Sequence, residues 1–318
     1  MFPTHLSPLF ATRFFTDFLR PITPLPEALV FRLLTTLLIL MNISEIAAQE
    51  TVPIPLGANI QQIVNSHPPG TKYVLAAGKH RAQSVVPKDG DVISGEPGAT
   101  LNGCLLLENW RKEGDWWIHQ VPVLIPLWPA NGVVCADYMC LQTQDFYLDG
   151  ERLQAVSTLD RVTNNKTWFL DRVSGILYLA VDPTNREAEL GGPAGTAIDC
   201  APPGQPQILG VAIENLTIER YPCRPQVGCI RIGGGGTVDR CHILSSHSYG
   251  IQLMRGSALV KDCYIADNGI SAIGGTGMEA VVQGCEITKN VWPMYAGKDW
   301  DSSGVKVAGS RGMIFRNN

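Results

Sequence analysis

Residues able to do chemistry gather toward the C-terminal end of the chain. The run VWPMYAGKDWDSS (Val291–Ser303) puts Trp292, Tyr295, Lys298, Asp299, Trp300 and Asp301 within a few positions of one another. Aromatic faces can stack on sugar rings. Carboxylates beside a cation suit glycosidic-bond cleavage, in which one carboxyl group donates a proton and the other acts as nucleophile or base. Arg231, His247, Gln252, Asp267 and Lys306 recur around this run at related intervals. What such residues can do together depends on the element that carries them.

That element is a repeat. TVDRCHI (Thr237–Ile243), LVKDCYI (Leu259–Ile265) and VVQGCEI (Val281–Ile287) share one pattern, and their cysteines, Cys241, Cys263 and Cys285, are each 22 residues apart. Asn215 and Asn318 fall at the corresponding place before and after them. A second motif recurs as GCIRI from Gly228, GIQL from Gly250, GISAI from Gly269 and GVKV from Gly304. Two short strands per unit, separated by Gly-rich turns, are the mark of a solenoid. A leucine-rich repeat would want Leu at Arg255 and Gly277, and ADNGISAIGGTG (Ala266–Gly277) is too glycine-rich for its convex helix. The expectation is an all-β chain wound as a right-handed parallel β-helix.

Each strand of such a helix pairs with its equivalents about 4.8 Å above and below. The three cysteines then form an interior column, capped by Asn215 and Asn318, that serves packing rather than catalysis. ANIQQIVN (Ala58–Asn65) reads as a short amphipathic helix able to cover the open end of the solenoid. First coils follow in YVLAAGKHR (Tyr73–Arg81) and VVPKDGDVISGEPGATLNG (Val85–Gly103), completing a leading section over residues 49–103.

With these segments the chain, from about Val52 to Asn318, resembles the pectate-lyase-like right-handed β-helix proteins. They are largely secreted and carbohydrate-active, and the resemblance specifies a scaffold rather than one reaction. It implies a substrate cleft along an outer face of the coils. Between Cys104 and Asp199 the repeat is lost. That stretch holds Trp110, Trp116, Trp117, Trp128 and Trp168 beside DFYLDGERL (Asp145–Leu153) and TWFLDRVSGILYLAVDP (Thr167–Pro183). Alternating apolar residues around D-G and S-G turns predict a small antiparallel β subdomain inserted over 104–199, an arrangement also found in glycosidase-like members of that family. Its tryptophans either form its core or stack on sugars. Repeats resume over 200–318, and RGMIFRNN ends midway through a strand motif, which leads us to expect a fragment of a longer solenoid.

Apolar residues of the GIQL-type strands point inward, so Arg231, Gln252, Ser271 and Lys306 are expected outward on successive coils. His247 and Asp301 precede their strand glycines by three residues and Asp267 by two, which extends this into a polar stripe. The coil before Lys306 is enlarged, and long loops are often functional. The catalytic candidates are therefore Asp301, Asp267, Lys306 and His247; Arg231, Gln252, Tyr295, Asp299 and Trp300 are candidates for substrate binding. Carboxylates on adjacent coils would lie about 5 Å apart, the retaining spacing, and two coils apart about 10 Å. A lyase would instead use Lys306 or Arg231 as base, with a cation such as Ca²⁺ on Asp oxygens. The sequence has no clear cluster of acidic ligands, so no metal site is assigned and hydrolysis leads. A non-catalytic carbohydrate-binding or adhesin solenoid is the third reading.

Charged residues make up 17% of the chain and the formal net charge is −4, which argues against nucleic acid. A poly- or oligosaccharide is the expected partner, and a monomer the expected state. The nine cysteines include no C-x-x-C pair; Cys135 with Cys140, or Cys223 with Cys229, could bridge in an oxidising compartment. LLTTLLILMNIS (Leu33–Ser44) follows Arg32 and precedes Ala47-Ala48. A basic flank, an apolar core and small residues predict an export signal over 1–48, with an uncleaved membrane anchor as the alternative. The protein is thus expected to be secreted, periplasmic or displayed at the cell surface. N-terminal sequencing of exported material should begin at Gln49; recovery of the intact N-terminus in membranes would make the segment an anchor.

Overall fold

The computed structural model describes residues 49–128, 141–292 and 302–318. The export segment, Cys135, Cys140, Tyr295, Lys298, Asp299, Trp300 and Asp301 lie outside the described residues. The chain winds as a right-handed parallel β-helix with three sheets. The first runs through eight strands, from Thr51–Ile54 to Ile314–Arg316; the second through six, from Gly78–Arg81 to Glu286–Thr288; the third through five, from Ile198–Asp199 to Ser303–Val307.

Inward positions stack like on like. Ile198, Ile230, Ile251, Ile273 and Val305 form one column, and Leu101, Ile218, Ile243, Ile265 and Ile287 another. Cys241, Cys263 and Cys285 follow the same rule: all three are buried free thiols. Each Sγ donates to main-chain carbonyls, for example Cys263 to Lys261 at 3.1 Å. Asn318 continues the column, its Oδ1 accepting from the Cys285 amide at 2.9 Å. Asn215 does not. Thr217 pairs with His242, so the residue level with Cys241 is Leu216. Asn215 sits one step earlier, exposed and at φ 57°.

The helix α1 (Ile60–Ser66), capped by Asn59, buries Ile60 and Val64 in the solenoid core. Its Gln61 side chain imitates a missing strand: the amide oxygen accepts from Val86 N at 2.6 Å and the amide nitrogen donates to Val86 O at 3.2 Å. An edge that would otherwise present open backbone groups is thereby closed.

Between the second-sheet strand Ala99–Asn102 and the third-sheet strand Ile198–Asp199 the chain leaves the solenoid. Its entry strand Cys104–Leu106 and exit strand Ala188–Gly191 pair with each other, and Gly192 N donates to Gly103 O at 2.9 Å. The coil below stacks on the coil above as though nothing intervened, Ile93 on Ile213 and Leu101 on Ile218. Gly103 makes this junction feasible, since a Cβ there would lie 2.6 Å from the Arg220 carbonyl and Tyr221 Cα. The insert is an eight-stranded sheet, antiparallel except where Gln154 and Ala155 pair in parallel with Thr167 and Trp168. Trp168 is fully buried at its centre, with Trp110 and Trp117 packed against the same core. The solenoid resumes at Ile198–Asp199, slightly before the expected boundary.

A buried carboxylate ties insert to solenoid. Glu189 has 0% exposure and pairs with Arg81 and Arg220, with Lys79 at 3.6 Å and Asn102 Nδ2 at 3.2 Å.

Burial raises the Cys200 and Cys229 thiols to about 12. Cys263 is also raised to about 12, chiefly by its contact with Cys241. In Cys241 the same contact has the opposite effect, so its protection rests on its enclosure. Cys241, Cys263 and Cys285 should resist alkylation in the native protein and react on unfolding; rapid native labelling of all three would remove the interior column. Cys263→Asp is expected to destabilise by several kcal/mol, because it buries a charge without a partner.

Candidate functional site

The hairpin DFYLDGERL supplies the insert's contact with the solenoid corner. Asp149 and Gly150 form its two-residue turn at φ 49° and 86°, the conformation that D-G favours between twisted strands. The turn sets Tyr147 opposite Arg152, while Phe146, Leu148 and Leu153 enter the insert's own core. Tyr147 Oη donates to Ser245 O at 2.9 Å. Burial holds this phenol well above its ordinary range despite the nearby Arg152, so it stays protonated. Arg152 donates to the same carbonyl at 2.5 Å, and its guanidinium lies 4.7 Å from the Trp292 ring centre and 5.4 Å from that of Tyr147.

These residues wall a cleft of 310 Å³ together with Gly150, Ser245, Asp267, Lys289 and Val291. Asp267 is exposed at φ 58°, a left-handed corner that Asp and Asn tolerate well. Ser245 and Lys289 hold the same corner one coil below and one coil above. Trp292 opens the enlarged coil, in which Ser271 pairs with Ser303, 32 residues on.

His247 departs from expectation. It has 0% exposure, and its Nδ1 lies 3.1 Å from Asp145 Oδ2 on the insert. The turn that carries it is folded under the insert rather than open to an outer stripe, its amide donating to Tyr221 O at 2.9 Å. Asp145 is also within 3.8 Å of Arg152 Nε. Burial alone would raise the Asp145 carboxyl, but His247 and Arg152 outweigh it and hold the group below the ordinary carboxylate range.

The outward row of the third sheet runs Asp199, Arg231, Gln252, Gly274, Lys306. Ser271 is absent from it: the residue is buried, its hydroxyl donating to Ile273 O at 3.1 Å and Gly304 O at 3.2 Å. Gly274 takes its expected place because the Tyr249 ring covers that position, 2.3 Å from where a Cβ would stand. Arg231 Nη1 donates to both oxygens of Asp199, at 2.9 and 2.7 Å, and Nε donates to Gln252 at 3.2 Å. Lys306 is exposed on the same row.

Of the expected residues, the structure therefore puts Asp267 in the cleft, groups Arg231, Gln252 and Lys306 on a different surface, and buries His247. Tyr147, Arg152, Lys289 and Asp199 escaped sequence reasoning. Among the described residues no three His, Cys, Asp or Glu side chains converge as a metal-binding group.

Residues 205–318 match the family model described as the right handed beta helix region, in agreement with the coils seen here. A solved structure described as the complex of XylC with xylose matches with a TM-score of 0.63 and 14% identity, over 82% of this chain and 56% of that one. A second, described as a glycoside hydrolase, matches at a TM-score of 0.46 and 9% identity, over 74% of this chain and 73% of that one. No curated protein matches. At such identities the likeness concerns the fold, which is that of a right-handed parallel β-helix. The chain spans little more than half the length of the XylC chain it matches.

Asp145→Asn should destabilise the protein by about 3–5 kcal/mol, the scale for removing one partner of a buried ion pair. Because its folded-state pKa is depressed, the contribution of Asp145 is complete above about pH 4 and is lost as pH falls through the lower folded value. Acid titration of stability should show this component in the wild type and lack it in the variant. An identical profile would remove Asp145 from the ion pair.

Proposed function

We propose that this protein hydrolyses a poly- or oligosaccharide, with Asp267 as one of its two working carboxyl groups. One observation carries the reading. An exposed carboxylate at a solenoid corner shares a 310 Å³ cleft with an indole and two cations, Trp292, Arg152 and Lys289. The indole offers a face for a sugar ring, and the exposed Lys289 offers a donor for its hydroxyls. Arg152 is held by Tyr147, the Ser245 carbonyl and Trp292, which fixes that wall of the cleft before substrate arrives.

The second carboxyl group is assigned to Asp301 on sequence grounds. The repeat in the sequence would set Asp267 and Asp301 on adjacent coils, and a rise of about 4.8 Å between them would suit retention of configuration. Tyr295, Asp299 and Trp300 would extend substrate binding along the enlarged coil. An exported protein acting outside the cell fits this reading.

Release of reducing ends from a panel of polysaccharides tests the proposal. Asp267→Asn should lower turnover at least about 100-fold, the scale for removing an acid–base group. Its melting temperature should hold, because Asn accepts the same left-handed corner. Undiminished turnover would place the acid–base pair elsewhere. Products with the ultraviolet absorbance of an unsaturated uronide would replace hydrolysis by elimination.

A further inference from the structure

The insert and the solenoid keep separate apolar cores. Among the described residues the solenoid core takes no side chain from 104–191, and the insert core runs only from Leu107 to Leu190. Charge joins the two instead, in a pair of buried clusters. Asp145 of the insert faces His247 of the solenoid at 3.1 Å and Arg152 Nε at 3.8 Å, with the Tyr147 phenol and the Cys104 thiol nearby. Glu189 of the insert faces Arg81, Arg220 and Lys79 of the solenoid. Beside it Glu187 pairs with Lys79 and Arg81, while Glu219 lies 3.8 Å from Arg220 Nε and accepts from Asn102 at 2.7 Å. At the root of the stem Gly192 N meets Gly103 O, and glycine backbone turns more freely than any other.

We infer that the insert is an acid-released module: protonating its interface carboxylates frees it to swing on its stem while both cores stay folded. Each carboxylate holds its cations only while ionised. Loss of the Glu189 charge leaves Arg81, Arg220 and Lys79 crowded together without a counter-charge. Burial raises the Asp145 carboxyl, but His247 and Arg152 more than offset it, and Glu187 is lowered by its Lys79 hydrogen bond. Docking is therefore complete above about pH 4 and weakens below it. From there each such carboxylate costs docking about 10-fold per pH unit until its docked value is passed. On release Tyr147 and Arg152 leave the Ser245 carbonyl. Two concavities come apart with them: the 310 Å³ cleft, and a second of 540 Å³ where the insert meets the third sheet. The inference concerns conformation and stands apart from the saccharide reading.

Hydroxyl-radical footprinting of the full chain, from neutrality down to about pH 2, separates release from unfolding. Tyr147 lies beneath the solenoid's Arg220, Trp168 at the centre of the insert and Tyr73 inside the solenoid, and all three are buried. The expected result is an acid range in which Tyr147 oxidises at least about 10-fold faster than at neutrality, while Trp168 and Tyr73 keep their protection. In Glu189→Gln that range should begin about one pH unit higher, or more. Protection of Tyr147 throughout, its oxidation only in step with Trp168 and Tyr73, or an unmoved range in Glu189→Gln would each overturn the proposal. If the variant fails to fold, the wild-type readings decide alone.

Discussion

Every coil must accept the coil beneath it, and that demand governs the rest of the molecule. Parallel strands about 4.8 Å apart put each side chain against its own equivalent, so a position is solved once and then repeated. Ile218, Ile243, Ile265 and Ile287 show the apolar solution. Turns obey the same demand. Gly98, Asn215, Arg240, Asp262, Gly284 and Asn317 all take left-handed backbone at one corner, and Arg220, Ser245, Asp267 and Lys289 at the next. Such corners project side chains outward at regular height, which is how Asp267 reaches the cleft.

Charge is then spent on docking. Glu189 would be very costly to bury alone, yet it lies beside Arg81 and Arg220, one from each of two coils. Buried pairs of this kind add little net stability over apolar packing, but misalignment would strand a charge. Asp145 with His247 and Arg152 repeats the device at the cleft. Between them the two clusters fix the height at which the insert meets the coils, and so the shape of both concavities.

The solenoid was legible because its period is exposed in the chain: cysteines at constant spacing and recurrent glycine-led strands need no partner to be recognised. Residue type misleads where it stands in for register. Asn215 looked like a column residue, but backbone pairing puts Leu216 there; Ser271 looked outward, but the Tyr249 ring leaves room only for glycine. His247 lay beyond any local reading, since its partner Asp145 is 102 positions away on an element that does not follow the repeat. Asp267 stays exposed because a left-handed corner keeps an Asp outside whatever packs below it. Tyr147 and Arg152 were visible only as flanks of a D-G turn, a pattern that announces a hairpin and is silent about what the hairpin touches.

The paired entry and exit strands of the insert have an architectural consequence. Cys104–Leu106 and Ala188–Gly191 form a closed stem, and the coils on either side of it remain in unbroken register. Lengthening or replacing what hangs from that stem therefore imposes no shift on any rung of the ladder. The solenoid acts as a chassis with one standard socket, at which a lineage could exchange recognition modules without redesigning the frame that carries them.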